Sequence, residues 1–177
     1  MKRLITSEEA IEILNKAGCS IQIIHHCKAV SNLAIKYARE IKIKGIKINV
    51  ELVRIGGLLH DIGRSRTHGI DHAVIGADIV RSFDLPDSVV HIVERHIGSG
   101  IPAEETAKLG LPNRDFLPET LEEKVVSYAD KLIEGNHEIG FDEALERFSR
   151  EFGESNAIVK RFKRMHTELF QGLGSKS

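Results

Sequence analysis

The chain has no tryptophan, two cysteines, four prolines and no excess charge of either sign, with 25 basic against 26 acidic side chains. Each shortage removes a class of protein. A near-neutral balance lacks the basic field that drives general binding to nucleic acid or a membrane surface, so neither is an expected partner. No apolar stretch reaches the length of a membrane span, and residues 1–10 lack the apolar core of a secretory signal. A cytoplasmic location is therefore expected. Cys19 and Cys27 have no metal-knuckle spacing and read as reduced packing residues. Runs of alternating strand residues are also missing, so no sheet is expected.

What remains is helical. The 177 residues are 41% hydrophobic and 29% charged, which fits one globular domain with a real core. Thr6 or Ser7 begins a first helix that ends near Gly18, with Glu9 placed for a capping box to Thr6. Ser20 caps a long helix to about Ile43, and Asn49 caps a third that runs to His60-Asp61 and stops near Gly63. Gly56-Gly57 costs that helix roughly 1 kcal/mol per glycine relative to alanine, which points to close packing against a neighbour. Asp71 caps a helix from His72 to about Phe83, and Pro86 starts another that ends near His96. The stretch Ile97–Pro118 is irregular, with a short helix near Ala103–Leu109. Further helices cover Leu121–Glu134, Asp142–Phe152 and Ser155 to about Gly172, and the polar end Gly174–Ser177 is expected to fray. The expected fold is all-α, a bundle of about seven to eight helices over residues 1–177. Its core would be 20–136, with C-terminal helices (142–172) packed on it.

Nine histidines are unusual in such a chain, and helical register sorts them. His26 shares a face with Ile23, Val30 and Leu33, whereas His25 aligns with Lys28 and Asn32 and faces solvent. His72 aligns with Ile75 and Ile79, and His96 with Val89, Ile92 and Val93. His91 falls on a solvent face with Asp87 and Glu94. Asp130 lies on the face of Val126 and Ile133. His60-Asp61 closes the apolar run of the third helix. A single inward histidine is adequately explained as a hydrogen-bonded core residue. Four imidazoles and two carboxylates facing inward, with no lysine or arginine on the same faces, are not: a divalent cation neutralises the set at once. His68 and His137 read as solvated, and Lys160-Arg161-Phe162-Lys163-Arg164 as a solvated helix face.

The ordered set His26, His60-Asp61-Ile62-Gly63 and Ala129-Asp130 resembles the HD-domain superfamily of metal-dependent phosphohydrolases. The resemblance implies His26, His60, Asp61 and Asp130 as ligands of one ion. The segments at His72 and His96 resemble the added ligands of members that bind two ions, with Asp61 bridging. Order and spacing are similar to the bacterial HD hydrolases that split diadenosine tetraphosphate. Gly98-Ser99-Gly100-Ile101-Pro102 resembles the loop of the cyclic-dinucleotide phosphodiesterases of the superfamily. It departs from them in carrying one histidine instead of a pair and Ile101 in place of tyrosine, which argues against cyclic di-GMP cleavage.

The implied cofactor is a pair of divalent ions (Fe, Mn, Ni, Zn or Mg), which can lower the pKa of water towards neutrality and supply a nucleophile for phosphorus. The implied substrate is a nucleotide or other small phosphorylated metabolite. Arg64, and with it Arg66, His68 and Arg114, are candidate substrate contacts, Arg64 foremost because Asp61 and Asp130 would be committed to metal and leave it no carboxylate. Ile97–Pro118 would face the substrate. Two other readings use the same residues: a di-iron oxygenase, and a nucleotide-sensing module without turnover.

Overall fold

The structure, a computed structural model, describes residues 2–171. Among them are α1 (Ser7–Ala17), α2 (Ile21–Ile43), α3 (Val50–Leu59), α4 (His72–Ser82), α5 (Asp87–Arg95), the four-residue α6 (Ala103–Thr106) and α7 (Leu121–Lys131). A hairpin of β1 (Ile133–Glu134) and β2 (His137–Glu138) follows, then α8 (Phe141–Phe152) and α9 (Ala157–Phe170). The all-α expectation holds apart from that hairpin. Gly172 and Gly174–Ser177 lie outside the described residues.

Local chemistry explains most helix starts. Thr6 Oγ1 accepts from the Glu9 amide at 3.2 Å while the Glu9 carboxylate accepts from the Thr6 amide at 2.8 Å, closing the capping box. Ser20 and Asn49 accept from the Ile23 and Leu52 amides at 3.3 and 3.0 Å. Asp71 departs from expectation. Its side chain makes no capping bond to α4 and instead accepts from the Thr67 hydroxyl at 3.1 Å.

Two helix ends fall earlier than periodicity suggests. α3 stops at Leu59, and the chain tightens into a 3-10 turn over Ile62–Ser65. α7 stops at Lys131 rather than Glu134, because Gly135 takes φ 64° and turns the chain back so that Glu134 pairs with His137.

α2 runs through the centre, flanked by α3 and α7. The two glycines of α3 mark its contacts. A Cβ on Gly57 would lie 2.8 Å from Ser31 Cα on α2, and one on Gly56 would lie 2.5 Å from Ile92 Cδ1 on α5. Gly63 is tighter still: a Cβ there would meet the His72 carbonyl oxygen at 1.8 Å. The start of α4 is therefore seated directly on the turn that follows His60-Asp61. On the other side, Phe148, Val159, Phe162, Met165 and Leu169 of α8 and α9 bury in the same cluster as Val30, Leu33, Val125 and Tyr128. The C-terminal helices thus share a core with α2 and α7. No described helix is long and apolar enough to cross a membrane.

Candidate metal centre

Five structural segments deliver the six singled-out residues to one place. His26 comes from α2, His60-Asp61 from the end of α3, His72 from the first residue of α4, His96 from just past α5, and Asp130 from α7. Asp130 Oδ1 lies 3.1 Å from His26 Nε2 and 3.3 Å from His60 Nε2. Asp61 divides its oxygens. Oδ2 is 3.8 Å from Nε2 of both His26 and His60, and Oδ1 is 3.2 Å from His72 Nε2 and 3.4 Å from His96 Nε2. Two groups of donor atoms are close enough to share an ion: His26, His60 and Asp130, and His60, Asp61 and His96.

The tautomers decide what this cluster can be. Nδ1 of His26, His60, His72 and His96 lies 2.7 to 2.8 Å from the carbonyl oxygens of Gly135, Gly57, Gly69 and Val93 respectively. A carbonyl only accepts, so each Nδ1 carries a proton, and each ring in its neutral form turns an Nε2 lone pair inward. His72 Nε2 then faces His96 Nε2 at 3.1 Å, lone pair to lone pair, beside two carboxylates. His60 Nε2 and Asp61 Oδ1 are buried with no hydrogen-bond partner among the described residues. Such a set of acceptors is stable only around positive charge, and imidazole with carboxylate suits a divalent transition metal. The backbone carbonyls behind each ring fix its orientation, as metal-bound histidines require.

The electrostatics show the same demand for positive charge: burial lowers His60, but Asp61, Cys27 and Asp130 outweigh it and hold that ring well above its ordinary value. Burial pushes the Asp61 carboxyl up, but His60, His72 and His96 outweigh it and hold Asp61 well below the usual carboxylate range. Asp130 is likewise low, because Lys131, His26 and His60 overcome the cost of burial. Burial drives His96 down to about 4, which keeps that ring neutral and able to ligate at physiological pH.

Two expectations about cations need correction, and a third cation was not foreseen. Arg64 does find a carboxylate: its Nε donates to Asp61 Oδ2 at 2.8 Å, since the 3-10 turn places residue i+3 beside residue i. Lys131 points inward, donating to Asp130 Oδ2 at 2.8 Å and to the His96 carbonyl at 2.6 Å. The signal was a lysine next to Asp130 inside the mostly apolar run 125–133, which is buried apart from half-buried Asp130. Arg147 of α8 donates to the Lys131 carbonyl at 3.1 Å and could not be placed from sequence, because it lies far beyond the matched motifs.

Other side chains sort as follows. His25, His68 and His137 are exposed and His91 is half-buried. Glu94, expected in solvent with His91, is buried and paired with Arg114 and Arg81. Arg114 is thereby held on α5, away from the metal centre, and Arg66 is exposed and lines neither neighbouring cavity. Arg161, expected in solvent, makes a bidentate pair with Glu105 at 2.8 Å.

A cavity of about 600 Å³ opens over the cluster, lined by Gln22, His25, His26, Asp61, Arg64, Asp130, Lys131, Asn136, Arg147 and Phe148 among others. A second, of about 350 Å³, opens over His72 and His96. Ile97, Gly98, Ile101, Glu105 and Leu109 form one wall of it, so the irregular segment does border the site. That segment is held by the Ile101–Phe116 bridge and a small core of Ala73, Ile97, Ile101, Leu111 and Phe116.

A sequence model of the HD domain matches residues 23–135, the interval that contains His26, His60, Asp61 and Asp130. The chain belongs to the HD domain family. As such it is a metal-dependent phosphohydrolase in the general sense, with His/Asp clusters able to hold divalent metal. It is 48% identical over 162 residues to an uncharacterized protein of Methanocaldococcus jannaschii, covering 92% of this chain and 95% of that one. It is 39% identical over 173 residues to a tRNA (cytidine(56)-2'-O)-methyltransferase of Thermoplasma volcanium, covering 97% of this chain but only 49% of the relative. The HD domain chain thus spans about half the length of that enzyme. Ribonuclease Y of Finegoldia magna is 33% identical over 100 residues, 53% of this chain and 18% of the relative. In fold, the chain is similar to the HD domain of the Listeria monocytogenes phosphodiesterase PgpH, with a TM-score of 0.55 at 20% identity over 95% of this chain and 98% of that one.

Proposed function

We propose that this HD domain chain hydrolyses a phosphoester or phosphoanhydride of a nucleotide or other small phosphorylated metabolite, using two divalent ions. His26, His60 and Asp130 would hold one ion, His72 and His96 the other, and Asp61 would bridge. The observation that carries the reading is the convergence of four Nε2 atoms on two carboxylates, with Asp61 offering one oxygen to each side. Bound ions would supply Lewis acidity and a water of lowered pKa.

The protein's own groups do the rest. Asp61 and Asp130 are held ionised by their neighbours. Arg64 and Lys131 line both cavities and set positive charge where non-attacking phosphate oxygens would sit. Arg64 is one-third exposed, so its guanidinium can serve Asp61 and a phosphate together. A nucleotide substrate is favoured by the relatives: one solved PgpH HD domain is in complex with cyclic-di-AMP, and other relatives are named for ribonuclease or tRNA-modifying activity. The diadenosine tetraphosphate hydrolases remain a model for order and spacing. We take α8 and α9 as part of the same domain, because they bury in its core. Two free, buried cysteines suit a reducing cytoplasm.

The test is metal analysis of purified protein, then a phosphoester panel with Mn²⁺, Fe²⁺, Ni²⁺ and Mg²⁺. Turnover dependent on added metal supports the reading. Oxygen uptake by iron-loaded protein without phosphoester turnover would favour the oxygenase, and tight nucleotide binding without turnover the sensing module.

A further inference from the structure

The metal centre opens in two directions. The 600 Å³ cavity lies on the His26 side and the 350 Å³ cavity on the His72–His96 side. Arg64, Asp130 and Lys131 line both, so the cationic pair stands between two openings onto one centre. A phosphate monoester needs only one opening, because its other oxygens carry nothing.

The two arms differ in chemistry. The larger presents Gln22, His25, Asn136 and Arg147, all able to hydrogen-bond an ionic or sugar-like group. The smaller has more apolar side chains in its wall, Ile70, Ile97, Ile101, Leu109, Phe152 and Ile158, with His68 and Glu105 among them. Ile70, Leu109 and Phe152 are 37%, 40% and 40% exposed, which places three of the six large exposed apolar side chains among the described residues around one concavity. An apolar concavity with a few polar groups at its mouth is how proteins bind flat organic groups. Helix α8 serves both arms, with Arg147 and Phe148 on one and Phe152 on the other, and it lies beyond the residues of the family match.

We infer that the substrate carries an organic group on each side of the scissile phosphorus, a phosphodiester or phosphoanhydride, with a nucleobase seated in the apolar arm and α8 reading both ends. This rests on the hydrolase reading above and narrows it. The water oxygen bonds to phosphorus, the ester or anhydride oxygen leaves with a proton, and no oxidant or reductant is needed. The apolar arm is assigned to the substrate because His72, His96 and Asp130 line it, so it opens directly on the metal centre where the phosphorus would be bound.

The experiment compares Mn²⁺-loaded protein on the dinucleotide ApA and on 5'-AMP, then repeats ApA with Phe152→Asp and Ile70→Asp. The expected result is kcat/KM for ApA at least tenfold above AMP, and a KM for ApA raised about tenfold in each variant. Both positions are partly exposed, and circular dichroism checks that the helices persist. Equal or better turnover of AMP would overturn the two-sided substrate while leaving the hydrolase reading intact. No turnover of ApA, of AMP or of the anhydride diadenosine tetraphosphate, with any of the four metals, would overturn both. Unchanged KM in both folded variants would remove the base from the apolar arm. A dimer that Phe152→Asp dissolves without changing KM would give that face to a second copy of the chain.

Discussion

Lys131 donates its ammonium to the carbonyl oxygen of His96 at 2.6 Å, and with a second proton reaches Asp130 at 2.8 Å. One side chain thus ties the carboxylate of the first donor group to the backbone that carries the second. Its removal leaves Asp130 with less positive charge around it, and breaking a buried pair costs on the order of 3 kcal/mol. Lys131→Met should therefore unfold at clearly lower urea when metal-free. Added Mn²⁺ should recover part of the difference, because an ion replaces the missing charge. Chemical denaturation with and without metal measures both. A loss that is identical in the two conditions would make Lys131 a packing residue only.

His72 Nε2 lies 3.2 Å from Asp61 and 3.1 Å from His96 Nε2, and His96 also faces His60. His72→Ala should bind about one equivalent of metal fewer than the parent, consistent with a two-ion centre. Unchanged stoichiometry by elemental analysis would return His72 to the core and leave a one-ion site.

Arg64 holds Asp61 and faces both cavities. Losing a charge-assisted hydrogen bond to phosphate costs on the order of 1.5–3 kcal/mol, roughly tenfold to a hundredfold in kcat/KM. Arg64→Ala should show that loss with both ions retained. Arg64→Lys should recover part of it as a point charge without the fork. Steady-state kinetics on any accepted phosphoester, paired with metal analysis, separates a substrate role from a purely structural hold on Asp61.

Far from the metal, Tyr128 and His166 share a hydrogen bond of 2.6 Å, and His166 stacks on Phe141 with ring centres 3.7 Å apart. Burial holds His166 below its ordinary value, against an opposing pull from Asp142. The sign follows from linkage. The unfolded ring takes up a proton as pH falls below about 6.5, before the folded ring does, so stability drops there. The parent should lose more stability between about pH 7 and pH 5 than His166→Phe, measured by denaturation at each pH. Equal slopes would show that the ring titrates normally in the fold.

Much of this architecture was legible because it is local. The Thr6–Glu9 box, the Ser20 and Asn49 caps and the close-packing glycines of α3 each follow from neighbours in sequence. Helical register also separated His26 from His25 and turned six scattered residues towards one point. What escaped was non-local. The Glu94–Arg114 pair, the inward turn of Lys131 and the arrival of Arg147 depend on how elements cross, which periodicity does not encode. The hairpin escaped because two-residue strands are too short to show alternation, and Arg64 because its pairing depends on a 3-10 turn after α3.

Among the described residues, Asp61 is the one whose two oxygens face both halves of the centre, 3.2 Å from His72 Nε2 and 3.8 Å from His60 Nε2. The most direct test is therefore the metal content and phosphoester turnover of Asp61→Ala beside the parent, with circular dichroism as a check on folding. The account predicts a helical protein that has lost bound metal and all hydrolysis. A folded Asp61→Ala that keeps two equivalents of metal and full turnover would contradict it.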